Sequence, residues 1–180
     1  VNPENEYSLL DFVDILYDKN RHEDAKNILE DYISKNPNNP YVCMALFKLN
    51  EKEGKPNEAH SELVKAFQSP DIEIDAKINV LITMLSQTNI DSLTQKRLIV
   101  LGDILVKTHP SDAKAYSMNG DILNLQEFKL EALSNYTKTA ELDNSQFQVW
   151  EQIFDISSEL NLNDTIIKYA ENATEVFPTH

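Results

Sequence analysis

The sequence predicts an all-α fold assembled from paired helices, and three observations carry that expectation. Helix-forming residues dominate, few β-branched runs alternate with period two, and three glycines with seven prolines are too few for the tight turns of sandwiches and barrels. Apolar residues recur at helical spacing in successive stretches of about 14 residues. Polar, proline-containing breaks return at a step of 34 residues over most of the chain, the mark of a stacked repeat.

In the first unit, Leu9, Phe12, Val13 and Leu16 recur on one helical face. The polar break "DKNRHED" follows, and then Ile28, Leu29, Tyr32 and Ile33 mark a second helix. "KNPNNP" closes the pair, because Pro37 and Pro40 cannot continue a helix. The second unit opens on the apolar run "YVCMALF" and turns at "GKPNE" into a helix carrying Ala59, Leu63 and Ala66. The third has Leu98 and Gly102 on its second helix and about five extra residues relative to the period. The fourth, "YSMNGDILNLQEFKLEALSNY", places Gly120 inside a helix at a cost of about 1 kcal/mol against alanine. Its glycine is expected to let the first helix press closely on its partner. Asn119, beside it, is expected to satisfy its amide on a neighbouring backbone group. Trp150 stands in the first helix of the fifth unit, and "NLNDTIIKYAENATEVFP" supplies the second. Helices of about 14 residues are roughly 21 Å long and marginal alone, so stacking on neighbours must stabilise the array.

The register supports this division. Ala25 and Ala59 are one period apart, as are Ala132 and Ile166. Pro3, Pro37 and Asp71 form one run at that step, and Pro110, Asn144 and Pro178 form another. A single array over 1–180 is expected, with repeats at about 6–39, 40–73, 74–112, 113–146 and 147–180. In this the chain resembles the tetratricopeptide repeat family, whose unit is a helix–turn–helix with the order W-L-G-Y…A…F…A…P. Tyr116 stands at the family's Trp place, Gly120 at its Gly, Leu123 at its Tyr, Ala132 at its Ala and Tyr136 at its aromatic. The resemblance implies a right-handed α-solenoid of five antiparallel helix–turn–helix repeats. Departures lie mainly in the third unit, where Leu98 replaces the Ala and Gly102 the aromatic.

Composition excludes several functions. A net charge of −14 opposes binding to nucleic acid, which needs clustered Lys and Arg, and favours a neutral or basic partner. No stretch reaches the roughly 18–20 apolar residues of a membrane span. Cys43, the single cysteine, cannot form an internal disulfide and reads as a packed thiol. His22, His60, His109 and His180 are scattered without metal-ligand spacing, and His22 and His109 fall at turns where an exposed histidine is expected. No glycine-rich phosphate loop is present, and carboxylate pairs such as Asp11 and Asp14 suit a solvated helix face. No enzyme activity, cofactor or metal is therefore expected, and the "NYT", "NDT" and "NAT" triplets are read as chance.

In the resembled family the first helix of each unit lines a concave groove that receives peptides. Carried over residue by residue, the resemblance implies a partner-binding set of Tyr7, Leu10, Asp11 and Asp14 in unit one, and Tyr41, Met44 and Lys48 in unit two. Met84 and Gln87 follow in unit three, Lys114, Ser117 and Asp121 in unit four, and Gln152 and Asp155 in unit five. Tyr7, Leu10, Tyr41 and Met44 would form an apolar patch, with acidic groups at both ends. Asp14 and Asp155 stand where the family's carboxylate clamp needs a cation or amide, which opposes co-chaperone binding of that kind. The expected function is a non-enzymatic scaffold binding a neutral to basic protein or peptide segment, with self-association open. The alternative is a spacer or regulatory segment of a larger protein with a catalytic, DNA-binding or envelope-assembly activity elsewhere. Both ends look like cuts through a longer array, and the Lys and Asn bias fits a bacterial origin, in the cytoplasm or the cell envelope.

Overall fold

The computed structural model describes residues 3–36 and 39–177, with side chains from residue 11 onward. All regular structure among the described residues is helical. The helices are α1 (Pro3–Asp18), α2 (His22–Lys35), α3 (Pro40–Lys52), α4 (Pro56–Phe67), α5 (Ile74–Leu85), α6 (Ser92–Thr108), α7 (Ala113–Leu125), α8 (Lys129–Leu142), α9 (Phe147–Glu159) and α10 (Asn163–Val176). Pro3, expected to close a preceding unit, is the first residue of α1. Pro40 opens α3 at N1, where a missing N–H costs nothing. The extra length of the third pair lies in the connection 86–91 and in α6, which has 17 residues against 12 in α4 and 14 in α8. No described helix is long and apolar enough to cross a membrane.

The chain divides into two compact units, Val1–Glu73 and Ile74–His180. The first holds α1–α4 around Val13, Leu16, Ala25, Leu29, Ala45 and Leu49, with Leu63 and Phe67 buried on α4. The second holds α5–α10. Its largest cluster joins Ala132, Tyr136, Val149, Trp150, Ile153 and Tyr169. The Trp150 ring sits edge-on to Tyr169 and Phe177, with centroids 5.9 and 6.3 Å away.

Short hairpin turns bind the pairs. Asn20, Gly54, Glu127 and Asn161 take left-handed φ values of 57°, 69°, 64° and 56°. The next residue in each case returns its N–H to a carbonyl five positions back: Arg21 to Leu16, Lys55 to Asn50, Phe128 to Leu123, and Leu162 to Ser157. This is the Schellman closure of a helix C-terminus, which ends one helix and aims the chain into the next. Capping side chains help at other ends. Asn39, Asp91 and Asp112 accept from the backbone N–H groups of Tyr41, Thr94 and Lys114.

Small residues set the distance between paired helices. Ala25, Ala59 and Ala132 are wholly buried at the same place in three second helices. A Cβ on Gly120 would meet the Tyr136 ring at 2.8–3.1 Å, so the glycine has the packing role expected of it. Equivalent bonds recur in successive repeats of the Ile74–His180 unit. The Tyr116 hydroxyl donates to the Pro110 carbonyl at 3.1 Å and the Trp150 Nε1–H to the Asn144 carbonyl at 3.0 Å.

Candidate functional site

The expected partner-binding residues fall on the first helix of each pair, with one exception. In the first unit, Tyr7 and Leu10 belong to α1, but their side chains lie outside the described residues. Asp11 is exposed. Met44 is buried at 9 % exposure, so it packs into the core of this unit and offers little surface. Tyr41 is half-buried and its hydroxyl donates to the Asp71 carbonyl at 2.9 Å.

Asp14 and Lys48 are the two expected residues that meet. Lys48 Nζ donates to Asp14 Oδ2 at 2.8 Å, and Lys52 Nζ reaches Asp14 Oδ1 at 3.5 Å. Lys52 also lies 3.6 Å from Asp18 and 4.9 Å from the centre of the Tyr17 ring. Each ion pair is solvent-accessible and contributes about 0–1 kcal/mol. Their main effect is on charge. The acidic end expected around Asp14 is offset by two lysines.

In the second unit, Met84 is half-buried on α5, while Gln87 lies beyond the end of that helix, exposed on the connection to α6. Lys114 is exposed and donates to Asp75 Oδ1 at 2.6 Å. Ser117 is half-buried and Asp155 exposed. Gln152 Oε1 accepts from Asn124 Nδ2 at 3.2 Å. Asp121 accepts the Tyr136 hydroxyl at 2.7 Å. Burial raises the Asp121 carboxyl above the ordinary range, and the Tyr136 hydrogen bond works against that rise. Burial first, and then the Asp121 charge, push the Tyr136 hydroxyl far above its usual value, so the proton stays on tyrosine. Nothing in the sequence signalled Asp75 and Asn124, because such partners sit on neighbouring helices.

Two further groups differ from expectation. The Asn119 amide satisfies no backbone group. Its Nδ2 donates to Asp103 Oδ1 at 3.5 Å and to Asn135 Oδ1 at 3.3 Å, while its Oδ1 has no hydrogen-bond partner. His109 is half-buried at the C-cap of α6, with Nε2 2.8 Å from Lys77 Nζ. Lys77 is wholly buried, lies 3.4 Å from Thr108 Oγ1, and has its pKa lowered to about 8 by burial. Cys43 is half-buried, and burial followed by Glu62 raises its thiol pKa, the reverse of an activated nucleophile. Among the described residues no group of three His, Cys, Asp or Glu side chains could hold a metal ion.

Neither a protein-family model nor a curated protein sequence matches the chain. Solved structures do. A crystal structure of MamA protein aligns with 97 % of this chain and 93 % of its own at a TM-score of 0.55 and 19 % identity. YrrB, described as a TPR protein with an unusual peptide-binding site, aligns over 99 % of this chain and 90 % of its own, with a TM-score of 0.54 and 15 % identity. MamA 41-end from Desulfovibrio magneticus RS-1 aligns over 97 % and 96 %, with a TM-score of 0.52 and 14 % identity. At these identities the likeness is one of fold. The protein has the tetratricopeptide-repeat fold, a helical solenoid of antiparallel pairs.

Proposed function

We propose that this protein is a non-enzymatic interaction scaffold that binds a neutral to basic peptide or protein segment on the first helices of its pairs. The observation that carries the reading is the repeat fold itself, with side chains of mixed polarity presented on the faces of α1, α3, α7 and α9. A stacked array offers many similarly spaced side chains and no enclosed reaction chamber, which suits recognition of an extended segment. YrrB, a TPR protein with a peptide-binding site, supports the same use of this fold. Lys48 and Lys114 engage carboxylates of the protein's own chain and can exchange them for groups on a partner at small cost. The net charge of −14 favours basic partners at long range.

The test is selection of binding peptides from a displayed random library on the folded protein, followed by affinity measurement with variants. Lys48→Ala, Lys114→Ala and Gln152→Ala are expected to weaken the selected peptides by about tenfold in at least one case, with thermal unfolding unchanged. Peptides that bind all three variants equally would place the interface elsewhere.

A further inference from the structure

Gly102 on α6, in the place of the repeat's aromatic, and Asn119 on α7, a buried amide among apolar neighbours, are one structural feature. A Cβ at Gly102 would overlap the Asn119 amide, so the absent side chain leaves the space that the amide fills. An amide in an otherwise apolar position brings a polar floor to the cleft between the second helices α6 and α8. Cavities of about 410 and 470 Å³ run along this cleft and share Asp103, Asn119, Ser134 and Asn135. Asn119 is 3 % exposed, and its Oδ1 is a buried acceptor with no donor. A buried amide oxygen left unpaired is costly, because it has lost its hydrogen bonds to water. The single Asn119 Nδ2 is shared between two acceptors at the long end of hydrogen-bond range.

The smaller cavity is short of donors. Asp103 and Glu131 line it and no lysine or arginine does, while the larger one carries Lys107 and Lys138. Asn135 Nδ2 donates to the Glu131 carbonyl at 2.9 Å, which turns its Oδ1 toward Asn119. Two amide oxygens and two carboxylates therefore converge here, with the Asn119 Nδ2 and the Ser134 hydroxyl as donors beside them. Beside them Ile99, Leu123 and Phe128 form an apolar wall, with Phe128, at the N-cap of α8, 45 % exposed.

We propose that this cleft receives an arginine side chain from a partner peptide. A guanidinium has five N–H donors in a planar fork that fits carboxylate and carbonyl oxygens together, and a short apolar stem. Its donors would serve Asp103, Glu131 and Asn135 Oδ1. That frees the Asn119 amide to turn its orphaned Oδ1 from Gly102 toward the ligand. The stem lies against Ile99 and Leu123, and the Phe128 face takes the cation. A lysine brings a single point charge and cannot span these acceptors at once. The cleft is walled by the second helices α6 and α8 and floored by Asn119 and Leu123 of α7, and it uses none of the partner-binding residues named for the first-helix surface, so the two sites stand or fall separately.

The test is a titration of the isotope-labelled full chain with the blocked peptide Ac-Gly-Arg-Gly-NH2, read on the side-chain amide resonances of Asn119 and Asn135. Lysine and citrulline analogues are run beside it, citrulline keeping the shape without the charge. Saturable shifts of both amides are expected with the arginine peptide, with lysine about tenfold weaker and citrulline weaker still. Asp103→Asn and Glu131→Gln, both at exposed positions, are each expected to lower arginine affinity by about tenfold at an unchanged unfolding midpoint. Glu171→Gln, at an exposed position of α10, is expected to leave it unaltered. Citrulline binding equal to arginine would overturn the proposal. So would amides that stay still while other resonances move, or affinity indifferent to Asp103 and Glu131.

Discussion

Replacing Gly102 by alanine puts the coupling between α6 and α7 to a direct test. In a helix interior the exchange alone is worth about 1 kcal/mol of added stability, because alanine loses less backbone entropy than glycine. At this site the new methyl would overlap Asn119 Oδ1, and it would lie 3.1 Å from Asn119 Cγ and 3.2 Å from Ile122 Cδ1. The amide is walled in at 3 % exposure and Ile122 is wholly buried. The amide must therefore swing away and surrender its bonds to Asp103 and Asn135. Overpacking of this kind costs about 1–3 kcal/mol, and the stranded amide adds about 1–3 kcal/mol. Against the propensity gain, Gly102→Ala should destabilise the protein by about 2 kcal/mol.

The second arm of the cycle sharpens the result. Asn119→Ala removes the obstructing amide together with its orphaned oxygen, and by itself should cost about 1 kcal/mol for the space left behind. In the double variant the alanine methyl at 102 enters that space, and stability should return to within about 0.5 kcal/mol of the parent. The coupling energy between the two sites is then about 3 kcal/mol. Urea unfolding followed by fluorescence of Trp150, the single tryptophan and a core residue of the Ile74–His180 unit, reads the effect where it occurs. If Gly102→Ala is stabilising, or if the two substitutions simply add, the glycine and the amide are independent and the account of the cleft floor is wrong.

Two other substitutions test features of the same unit. Glu127 holds a left-handed φ of 64° at a position where the equivalent turns have Asn20, Gly54 and Asn161; Glu127→Gly should stabilise by about 0.5–1 kcal/mol, the relief of strain exceeding the entropy cost, and a lower urea midpoint would contradict it. Lys77 is charged in both states below pH 8, so its burial cost is then fully present; between about 8 and 10.5 the unfolded chain holds the extra proton, and stability must rise with pH. The climb amounts to about 3 kcal/mol at most, and Lys77→Met should flatten it while raising stability near neutrality. Equal pH slopes for the two proteins would show that Lys77 keeps its charge stabilised in the fold.

The paired helices were legible because burial on one face leaves a periodic trace in the chain. Ala25, Ala59 and Ala132 recur in register because only a small side chain fits where two helix backbones approach, and Gly120 follows the same logic against Tyr136. Asn20, Gly54 and Asn161 suit the left-handed turn by their own conformational preferences, whereas Glu127 carries no such signal and is held there by the helices on either side. On α3, helical spacing could not say which apolar residue points inward. Met44, expected at the surface, is drawn into the core. The polar pairs were the least legible part. Lys114 with Asp75, Gln152 with Asn124, and Lys77 with His109 join residues of different helices, and no local spacing encodes them.

The departures from the repeat have a pattern of their own. Gly102 in place of an aromatic, Asn119 in place of an apolar residue, the lengthened connection 86–91 and the buried Lys77 all belong to α5, α6 and α7 or the segments joining them. A repeat needs only small and apolar residues in register in order to stack, and the pairs α3–α4 and α9–α10 carry such cores. Asn119 and Lys77 each cost stability that stacking does not require: one buries an unpaired acceptor, the other a charge. Gly102 adds a helix-propensity penalty for the sake of the amide it accommodates. Sites where local preference is overridden in this way are where a fold is shaped by something other than its own packing. In this chain that criterion selects the cleft between α6 and α8, whose floor is the Asn119 amide, ahead of the more regular faces of α3 and α9.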